Sequence, residues 1–256
     1  MGEPNVQFTN EQLKRYKRNI LLDGVGAVGQ AKLLQSRVLV VGAGGLGSPV
    51  SYYLAAAGIG HIGLVDGDQV DLSNLQRQIM HTTPDLGRPK IESARQKLTA
   101  LNPDVQVTGY GHWLNEQNFR EIIALYDLVV DGTDNFAARF LINQACVEKR
   151  KPYIFGGVLG YTGQAMTILP GQGPCLACIF RGSPPEGAPS SDKMGVLGAV
   201  PGIIGAVEAA EAVKVILGIG EPLRGRLLTF DALSMQFFTV DISRDPSCPV
   251  CGGVLS

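Results

Sequence analysis

The 256-residue sequence has almost no net charge, with 22 lysine and arginine residues against 23 aspartate and glutamate residues and a formal charge of -1. This balance gives no general attraction to nucleic acid or to an anionic membrane, so we predict neither partner. Long apolar runs are also missing. The uncharged run at residues 194–207 is broken by glycine and proline and is shorter than the roughly 20 residues of a spanning helix. The first residues contain no apolar signal region, which predicts a cytoplasmic protein.

Other common signals are absent as well. No G-x-x-x-x-G-K-[ST] motif occurs, which excludes a P-loop. The three histidines, His61, His81 and His112, have no motif around them and offer no evident proton donor. What the chain does have is 45% hydrophobic and 18% charged residues, a composition typical of a globular protein with a sizeable core.

Residues 37–66, RVLVVGAGGLGSPVSYYLAAAGIGHIGLVD, have the order of a dinucleotide-binding unit. An apolar strand runs into a turn in which Gly42, Gly44 and Gly47 have the G-x-G-x-x-G spacing, and an alanine-rich helix follows. A second apolar strand ends at Asp66, where an acid would bind a ribose hydroxyl. The alternative is a tight turn whose glycines only allow close packing. The pattern predicts a nucleotide site and leaves the nucleotide open.

Several cationic residues follow this unit in the sequence, and a dinucleotide site for hydride transfer by NAD would not require them. Asn74 and Arg77 are three residues apart, so in a helix they would share one face and could bind one phosphate group. Pro89 suits the first position of a helix and puts Lys90 in the first turn, where the helix dipole disfavours a cation unless an anion is near. A solvated polar turn at Asn74 and Arg77, and a lysine extending into water at Lys90, are the alternatives.

Two acids follow the strand YDLVVD. Asp131 and Asp134 fall at the carboxyl end of that strand, where open α/β sheets bind ligands. Opposite bound phosphates, Asp134 could hold magnesium, which prefers carboxylate and phosphate oxygens. Its alternative role is to cap the helix that begins near Asn135. Together with the cations, the acids favour a nucleoside triphosphate.

The five cysteines are unevenly placed. Cys175 and Cys178 form one C-x-x-C pair, Cys248 and Cys251 form another, and Cys146 lies alone in an apolar helical pattern. The two pairs predict one tetrahedral zinc ion, and four sulfur ligands leave no open position for water, so the zinc would be structural. Disulfides or a redox pair are the alternatives. Cys146 is predicted to be a buried core thiol.

The order of elements predicts a single α/β domain. Residues 1–35 form a helical arm of two short helices, residues 36–150 alternate strand and helix around a parallel sheet, and residues 151–256 add strands without intervening helices. The fold is therefore a Rossmann-like doubly wound sheet that becomes mixed, or antiparallel, in its C-terminal half. Residues 181–195, rich in proline, glycine and serine, favour a mobile connection, either a flap or a linker.

Six ordered pieces of sequence, RYKRNI, VGAGGLGS, DGDQVDLSNLQRQ, GRPK, DGTDN and the two C-x-x-C pairs, resemble the ThiF/MoeB/HesA family, bacterial relatives of the ubiquitin-activating enzymes. The resemblance covers nearly the whole chain. It implies a homodimer that uses ATP to adenylate the C-terminal glycine of a ubiquitin-like sulfur carrier ending in Gly-Gly, releasing pyrophosphate. The sulfur would come from a separate donor, in thiamin or molybdopterin biosynthesis or a related thiolation route.

The resemblance also assigns roles to residues. Asp66 would hold the ribose, Asn74, Arg77 and Lys90 the phosphates, and Asp134 the magnesium, while Arg18 would reach the ATP of the neighbouring subunit. The implied nucleotide contacts are Gly42, Gly44, Gly45, Gly47, Asp66, Asp68, Asn74, Arg77, Gln78, Lys90, Asp134 and Asn135.

Other interpretations and one departure stay open at this point. A relative adenylating another peptide or an RNA-linked substrate, an NAD-dependent oxidoreductase and a non-catalytic scaffold for carriers are the alternatives. The departure is Ser191, which aligns with a cysteine that some family members have before the small-residue helix. Since serine forms neither a persulfide nor a disulfide, we expect no covalent bond between enzyme and carrier.

Overall fold

One eight-stranded sheet runs through the computed structural model, which describes residues 7–182 and 194–253. Its strands are β1 (Arg37–Val41), β2 (His61–Val65), β3 (Gln106–Tyr110), β4 (Leu128–Asp131), β5 (Tyr153–Leu159), β6 (Thr162–Ile168), β7 (Arg226–Asp231) and β8 (Gln236–Asp241). Their order across the sheet is β3-β2-β1-β4-β5-β6-β7-β8. The first five in this order pair in parallel, and the pairs from β5 to β8 are antiparallel. The predicted change from parallel to antiparallel pairing is confirmed.

The helices lie on both faces of the sheet. They are α1 (Asn10–Arg15), α2 (Lys17–Ile20), α3 (Gly26–Gln35), α4 (Gly47–Ala57), α5 (Lys90–Leu101), α6 (Phe119–Ala124), α7 (Phe136–Lys149), α8 (Leu176–Ile179) and α9 (Ala199–Leu217), with 3₁₀ turns at Leu72–Asn74 and Thr83–Asp85. The side chains of β1 show the division: Val38 and Val40 pack against helices α3, α4, α5 and α9, whereas Leu39 and Val41 pack against α6, α7 and α8. Successive strand residues point to opposite faces, so an unbroken apolar strand is what a sheet covered on both sides requires.

The N-terminal segment differs from its prediction. It contains three helices rather than two, and it packs on the body of the protein. Tyr16 is only 1% exposed and contacts Gly58, while the side-chain amide of Asn19 donates to the carbonyl oxygen of Ala57 at 3.4 Å. Both contacts lie at the C-terminal end of α4.

Two sequence predictions fall on residues outside the described ranges. Most of the segment 181–195, including Ser191, belongs to residues 183–193.

None of the helices in the described part of the chain combines the length and the apolar character needed to span a membrane.

Candidate active site

The site lies where the sheet changes direction. Strand β1 has β2 on one side and β4 on the other, so the loops after β1 and β4 leave the sheet edge in opposite directions and open a crevice between them. A cavity of about 520 Å³ occupies this crevice, within the usual size range of a small-molecule site. Of the predicted nucleotide contacts, the following line it: Gly42, Gly44, Gly45, Asp66, Asp68, Arg77, Gln78, Lys90, Asp134 and Asn135.

The glycine-rich turn owes its shape to close backbone approaches. Gly42 has φ +99°, and a β-carbon there would collide with the carbonyl of Gly132, which follows β4. A β-carbon at Gly47 would overlap the carbonyl oxygen of Gly42, so Gly47 supports the turn and does not line the cavity. Helix α4 begins at Gly47, and its N-terminal amides and dipole favour an anion at this end.

Acids and a lysine follow β2. Asp66 is 3% exposed, and its carboxylate accepts from the backbone amides of Ala43 and Asp68, each at 2.8 Å. Burial raises the pKa of Asp66, and Lys90 and the two amides oppose that rise. The Nζ atom of Lys90 lies 2.9 Å from Asp68 Oδ2 and 4.0 Å from Asp66 Oδ2. Lys90 is 4% exposed, so the alternative of a lysine extending into water is wrong, and Pro89 is the residue before the helix rather than its first.

The turn after Asp71 carries the second cation. Arg77 lines the cavity, and its Nη1 donates to the carbonyl oxygen of Ser73 at 3.1 Å. Gln78 is 5% exposed and lies beside Gly44, and its Oε1 has no hydrogen-bond partner in the described residues. Asn74 differs from the prediction: its Oδ1 accepts from the amide of Asp71 at 3.3 Å, and it does not line the cavity.

The loop after β4 separates the two candidate acids. Asp131 is completely buried, and Thr133, Arg139 and Tyr153 all donate to it, so it holds the loop and does not face a ligand. The cap of α7 is Asn135, whose Oδ1 accepts from the amide of Ala138 at 2.9 Å. The alternative that Asp134 caps this helix is therefore wrong. Asp134 is exposed and lines the cavity.

Arg139 and Trp113 are among the cavity residues that the sequence analysis did not select. Arg139 is 7% exposed and donates to Asp131, to the carbonyl oxygen of Thr133 and to that of Gly156. It therefore fixes the loop that carries Asp134. Trp113, the only tryptophan, lies against Gly67 just after the ribose-side acid. The only sequence feature that could have pointed to Arg139 was its position in the first turns of α7, close after the acids that follow β4.

The four paired cysteines come together as predicted. Their Sγ atoms all lie within 4.8 Å of one another, with 3.7 Å between Cys175 and Cys248 and 3.5 Å between Cys178 and Cys251. Ligands about 2.3 Å from a tetrahedral zinc ion lie roughly 3.8 Å apart, so the cluster fits zinc. All four are free thiols, so the disulfide alternative is wrong. Cys146 is fully buried in α7, and burial raises its pKa.

Sequence and structure comparisons agree on the relationship. A profile of the ThiF family matches residues 16–250. The chain belongs to the ThiF family. It is 47% identical over 253 residues to a sulfur carrier protein adenylyltransferase of Thermus thermophilus, covering 96% of this chain and 93% of the relative. It is 48% identical over 242 residues to the SAMP-activating enzyme E1 of Haloferax volcanii, covering 94% and 89%. A crystal structure of Escherichia coli MccB with ATP superposes with a TM-score of 0.79 at 25% identity, covering 97% of this chain and 83% of that one.

Arg18 lies apart from the cavity in this ThiF-family chain. It is exposed on α2, whose neighbours Tyr16 and Asn19 contact the C-terminal end of α4. The glycine-rich turn is at the other end of that helix, roughly 16 Å away for 11 residues. Arg18 is therefore not among the residues that its own chain brings to the cavity.

A buried acid lies beneath the site. Glu208 on α9 is 0% exposed, lies against Gly156 and has no hydrogen-bond partner for either carboxylate oxygen in the described residues. Burial raises its pKa well above the usual value, Asp131 adds to the rise and Arg139 opposes it. Glu211, on the same helix, is 3% exposed but accepts from Thr167, Lys214 and the amide of Leu223.

We expect Glu208→Gln to stabilise the protein at neutral pH. The pKa of Glu208 is higher in the folded than in the unfolded protein, so above the unfolded-state pKa only the unfolded protein releases the proton. The free energy of unfolding therefore falls as the pH rises above the unfolded-state pKa, by up to about 1.4 kcal/mol per pH unit. The melting temperature of Glu208→Gln should match the wild type near pH 4 and exceed it increasingly towards pH 8. Glu211→Gln is the control and should be destabilised throughout. A constant difference between Glu208→Gln and wild type across this range would contradict the assignment.

Proposed function

We propose that this chain adenylates the C-terminal glycine of a ubiquitin-like sulfur carrier protein with ATP and releases pyrophosphate. The observation that carries the proposal is one cavity lined by the glycine-rich turn, Asp66, Arg77, Lys90 and Asp134. Relatives at 47% and 48% identity are named a sulfur carrier protein adenylyltransferase and a SAMP-activating enzyme, and MccB has been crystallised with ATP. These names support ATP and a carrier protein as the substrates.

The proposed reaction needs alignment and charge neutralisation. A carboxylate oxygen of the carrier attacks the α-phosphorus, the bond to the bridging oxygen of the β-phosphate breaks, and pyrophosphate leaves with that electron pair. No proton has to move, so neither a general base nor a covalent nucleophile is required. The chain has to hold two anions in line and neutralise the spreading negative charge.

The described side chains divide this work. The carboxylate of Asp66 accepts one amide at each oxygen and retains lone pairs for ribose hydroxyls. The amides of the glycine-rich turn and the cations of Arg77 and Lys90 face the phosphates, and Lys90 is held by Asp68 until a phosphate replaces that partner.

Asp134 suits a magnesium ion bound with the triphosphate. Its carboxylate lines the cavity, and no lysine, arginine or histidine of the described residues forms an ion pair with it, whereas Asp131 has all its partners within the protein. One carboxylate together with phosphate oxygens and water is a common magnesium environment. When bound, the ion would supply positive charge that offsets the negative charge of the pyrophosphate.

We propose that the carrier tail enters this same cavity. Its lining also includes apolar side chains, those of Leu141, Val158, Val196 and Pro201. Residues 195–197 pair with Gly160, the residue after β5. A tail of two glycines, which has no side chains, fits such a cavity and brings the terminal carboxylate to the α-phosphate.

The experiment is carrier-dependent ATP–pyrophosphate exchange, in which labelled pyrophosphate enters ATP only through the reversible adenylation step. Purified carriers ending in Gly-Gly, the same carriers without the last glycine and short free peptides are compared. Exchange only with intact carriers supports the proposal. Exchange with the peptides alone assigns this chain to peptide adenylation, and no exchange with any substrate removes the function.

We also propose a homodimer in which Arg18 completes the partner's site. The support is an apolar groove beside α2, lined by Leu22, Tyr53, Ala210 and Val213 among others, with Leu22 and Tyr53 each 58% exposed. Burying such a surface against a second copy is favourable.

Mixed dimers test this role of Arg18. Arg18→Ala and Arg77→Ala homodimers should each be inactive, whereas a mixed dimer retains one site that has both arginines. Random mixing should restore about one quarter of wild-type exchange, since half of the dimers are mixed and half of their sites are intact. Lys17→Ala, an exposed neighbour, should remain active. A mixture as inactive as its components would place the action of Arg18 within its own chain.

We expect no covalent link between enzyme and carrier. Four of the five cysteines lie in the metal cluster, Cys146 is fully buried, and the aligned residue Ser191, outside the described ranges, is not a thiol. Intact-mass analysis after incubation with ATP and carrier should show the unmodified enzyme. A thiol-labile conjugate in wild type that is absent from Cys146→Ser would contradict this.

A further inference from the structure

His81 contacts the glycine-rich turn from behind. The residue is 4% exposed, and its Nε2 lies 2.9 Å from the carbonyl oxygen of Ala43, while its Nδ1 lies 2.9 Å from Ser93 Oγ. A carbonyl oxygen can only accept, so Nε2 carries the proton and donates to Ala43. Nδ1 then accepts from the hydroxyl of Ser93. Burial lowers the pKa of His81, in agreement with a neutral ring.

The other side of Ala43 is held as well. Its amide donates to Asp66 Oδ2 at 2.8 Å, so the acid on the ribose side and the imidazole hold the two backbone polar groups of one fully buried residue. The flanking residues, Gly42 and Gly44, have no side chains that could fix the backbone. These two hydrogen bonds orient the peptide groups on either side of Ala43, while the amide of Gly42 donates to Val65 and the carbonyl of Gly44 accepts from Ser48.

The hydrogen bond from His81 also sets the direction of the next amide. The carbonyl of Ala43 and the N–H of Gly44 belong to one planar trans peptide and point in opposite directions. With the carbonyl held towards His81, the N–H of Gly44 points away from it, and Gly44 lines the cavity. No acceptor for this N–H exists within residues 7–182 and 194–253, so it is available to a ligand.

Helix α5 fixes the imidazole in turn. Ser93 accepts from Lys97 Nζ at 2.9 Å, Lys97 forms an ion pair with Asp85, and Asp85 accepts from the amide of Thr82, the residue after His81. The ring is thus held by the helix that begins at Lys90. This continuous set of bonds makes the orientation of His81 a property of the fold rather than of a mobile side chain.

We propose that His81 is a positioning residue: it holds the Ala43 carbonyl so that the amide of Gly44 donates to the triphosphate of the nucleotide. The inference rests on the proposed function for its ligand, ATP. It predicts that His81 affects the binding of phosphates and leaves the binding of the nucleoside unchanged.

Two substitutions, His81→Gln and His81→Asn, distinguish the hydrogen bond from the imidazole to Ala43 from the hydrogen bond between the imidazole and Ser93. The side-chain amide of Gln reaches the position of Nε2 and can donate to Ala43, whereas that of Asn reaches only the position of Nδ1 and can bond Ser93. Affinities for ATP and for adenosine are measured by calorimetry without carrier, and unfolding temperatures are measured in parallel. His81→Asn should weaken ATP binding about 10- to 100-fold, the range for a hydrogen bond to a charged group, and leave adenosine binding unchanged. His81→Gln should remain within about threefold of wild type for both ligands.

Wild-type ATP affinity in His81→Asn, or equal weakening of ATP and adenosine, would overturn the proposal. Should His81→Asn not fold, Ser93→Ala makes the same comparison, because it frees the ring from α5 and should weaken ATP selectively by a smaller factor. Equal effects on both ligands would again contradict it. Because these affinities need no carrier, failure of this inference is distinguishable from failure of carrier-dependent exchange.

Discussion

The single substitutions Arg77→Ala, Lys90→Ala and Asp134→Ala should each slow carrier-dependent ATP–pyrophosphate exchange by at least about 10²-fold. This is the usual effect of removing one group that stabilises transition-state charge. The three side chains line one cavity and carry the charges that the proposed reaction requires. The loss should appear mainly in kcat, since the negative charge on the departing pyrophosphate grows as the bond breaks. Initial exchange rates over a range of ATP and carrier concentrations give the measurement.

The controls for this prediction are chosen by how exposed each side chain is. Arg95 is an exposed cation on the same helix as Lys90, so Arg95→Ala should keep wild-type exchange. Asp134 is exposed, and Asp134→Asn should therefore retain the unfolding temperature while requiring more magnesium. Lys90→Ala leaves Asp66 and Asp68 without their cation and should also destabilise the fold, so its rate is compared per folded molecule. Wild-type exchange in the triple alanine variant would exclude the assignment.

Loss of zinc should produce the largest change in stability. We expect one zinc ion per chain in the purified protein and none in Cys248→Ser, with the unfolding temperature lowered by at least about 10 °C, because the binding energy of a structural zinc is folding energy. The cluster connects the segment after Pro170 to residues 248–251, and two of its members are held by Asn143 and by the amide of Asp245. Metal analysis and thermal unfolding measure the two effects.

Cys146→Ala is the matched control, because it removes a buried thiol that is not part of the cluster and should keep the zinc. Activity per folded molecule should fall less than stability, since none of the four cysteines lines the cavity. A small effect is still expected: Phe180, after α8, packs on Phe136 and Phe155, and both of these rings contact Arg139. Metal-free protein with an unchanged unfolding temperature would remove the structural role.

The sequence was informative where a feature is local. The strand, glycine turn, helix and acid of residues 37–66 are contiguous, so their order alone predicts how they fold together. The cysteine spacing predicted the four-sulfur cluster for the same reason. Both halves of the sheet were also predicted, because a parallel pair needs a long crossover and an antiparallel pair needs only a turn.

Features that depend on distant contacts were missed. His81 has no motif around it, and its relation to Ala43 arises because α5 packs against α4, beside the turn. The partners of Lys90 were unknown without the position of Asp68, 22 residues earlier. Asp131 and Asp134 are three residues apart, yet Asp131 is buried and paired with Arg139 whereas Asp134 is exposed. Only the geometry of the loop distinguishes the two acids.

The most direct test of the central claim is the intact mass of the carrier after incubation with this protein, ATP, magnesium and pyrophosphatase. The account predicts a Gly-Gly carrier heavier by one AMP, no change when its last glycine is deleted, and an enzyme of unchanged mass. A carrier that stays unmodified across a panel of Gly-Gly carriers, or one that gains AMP without its terminal glycine, would contradict it.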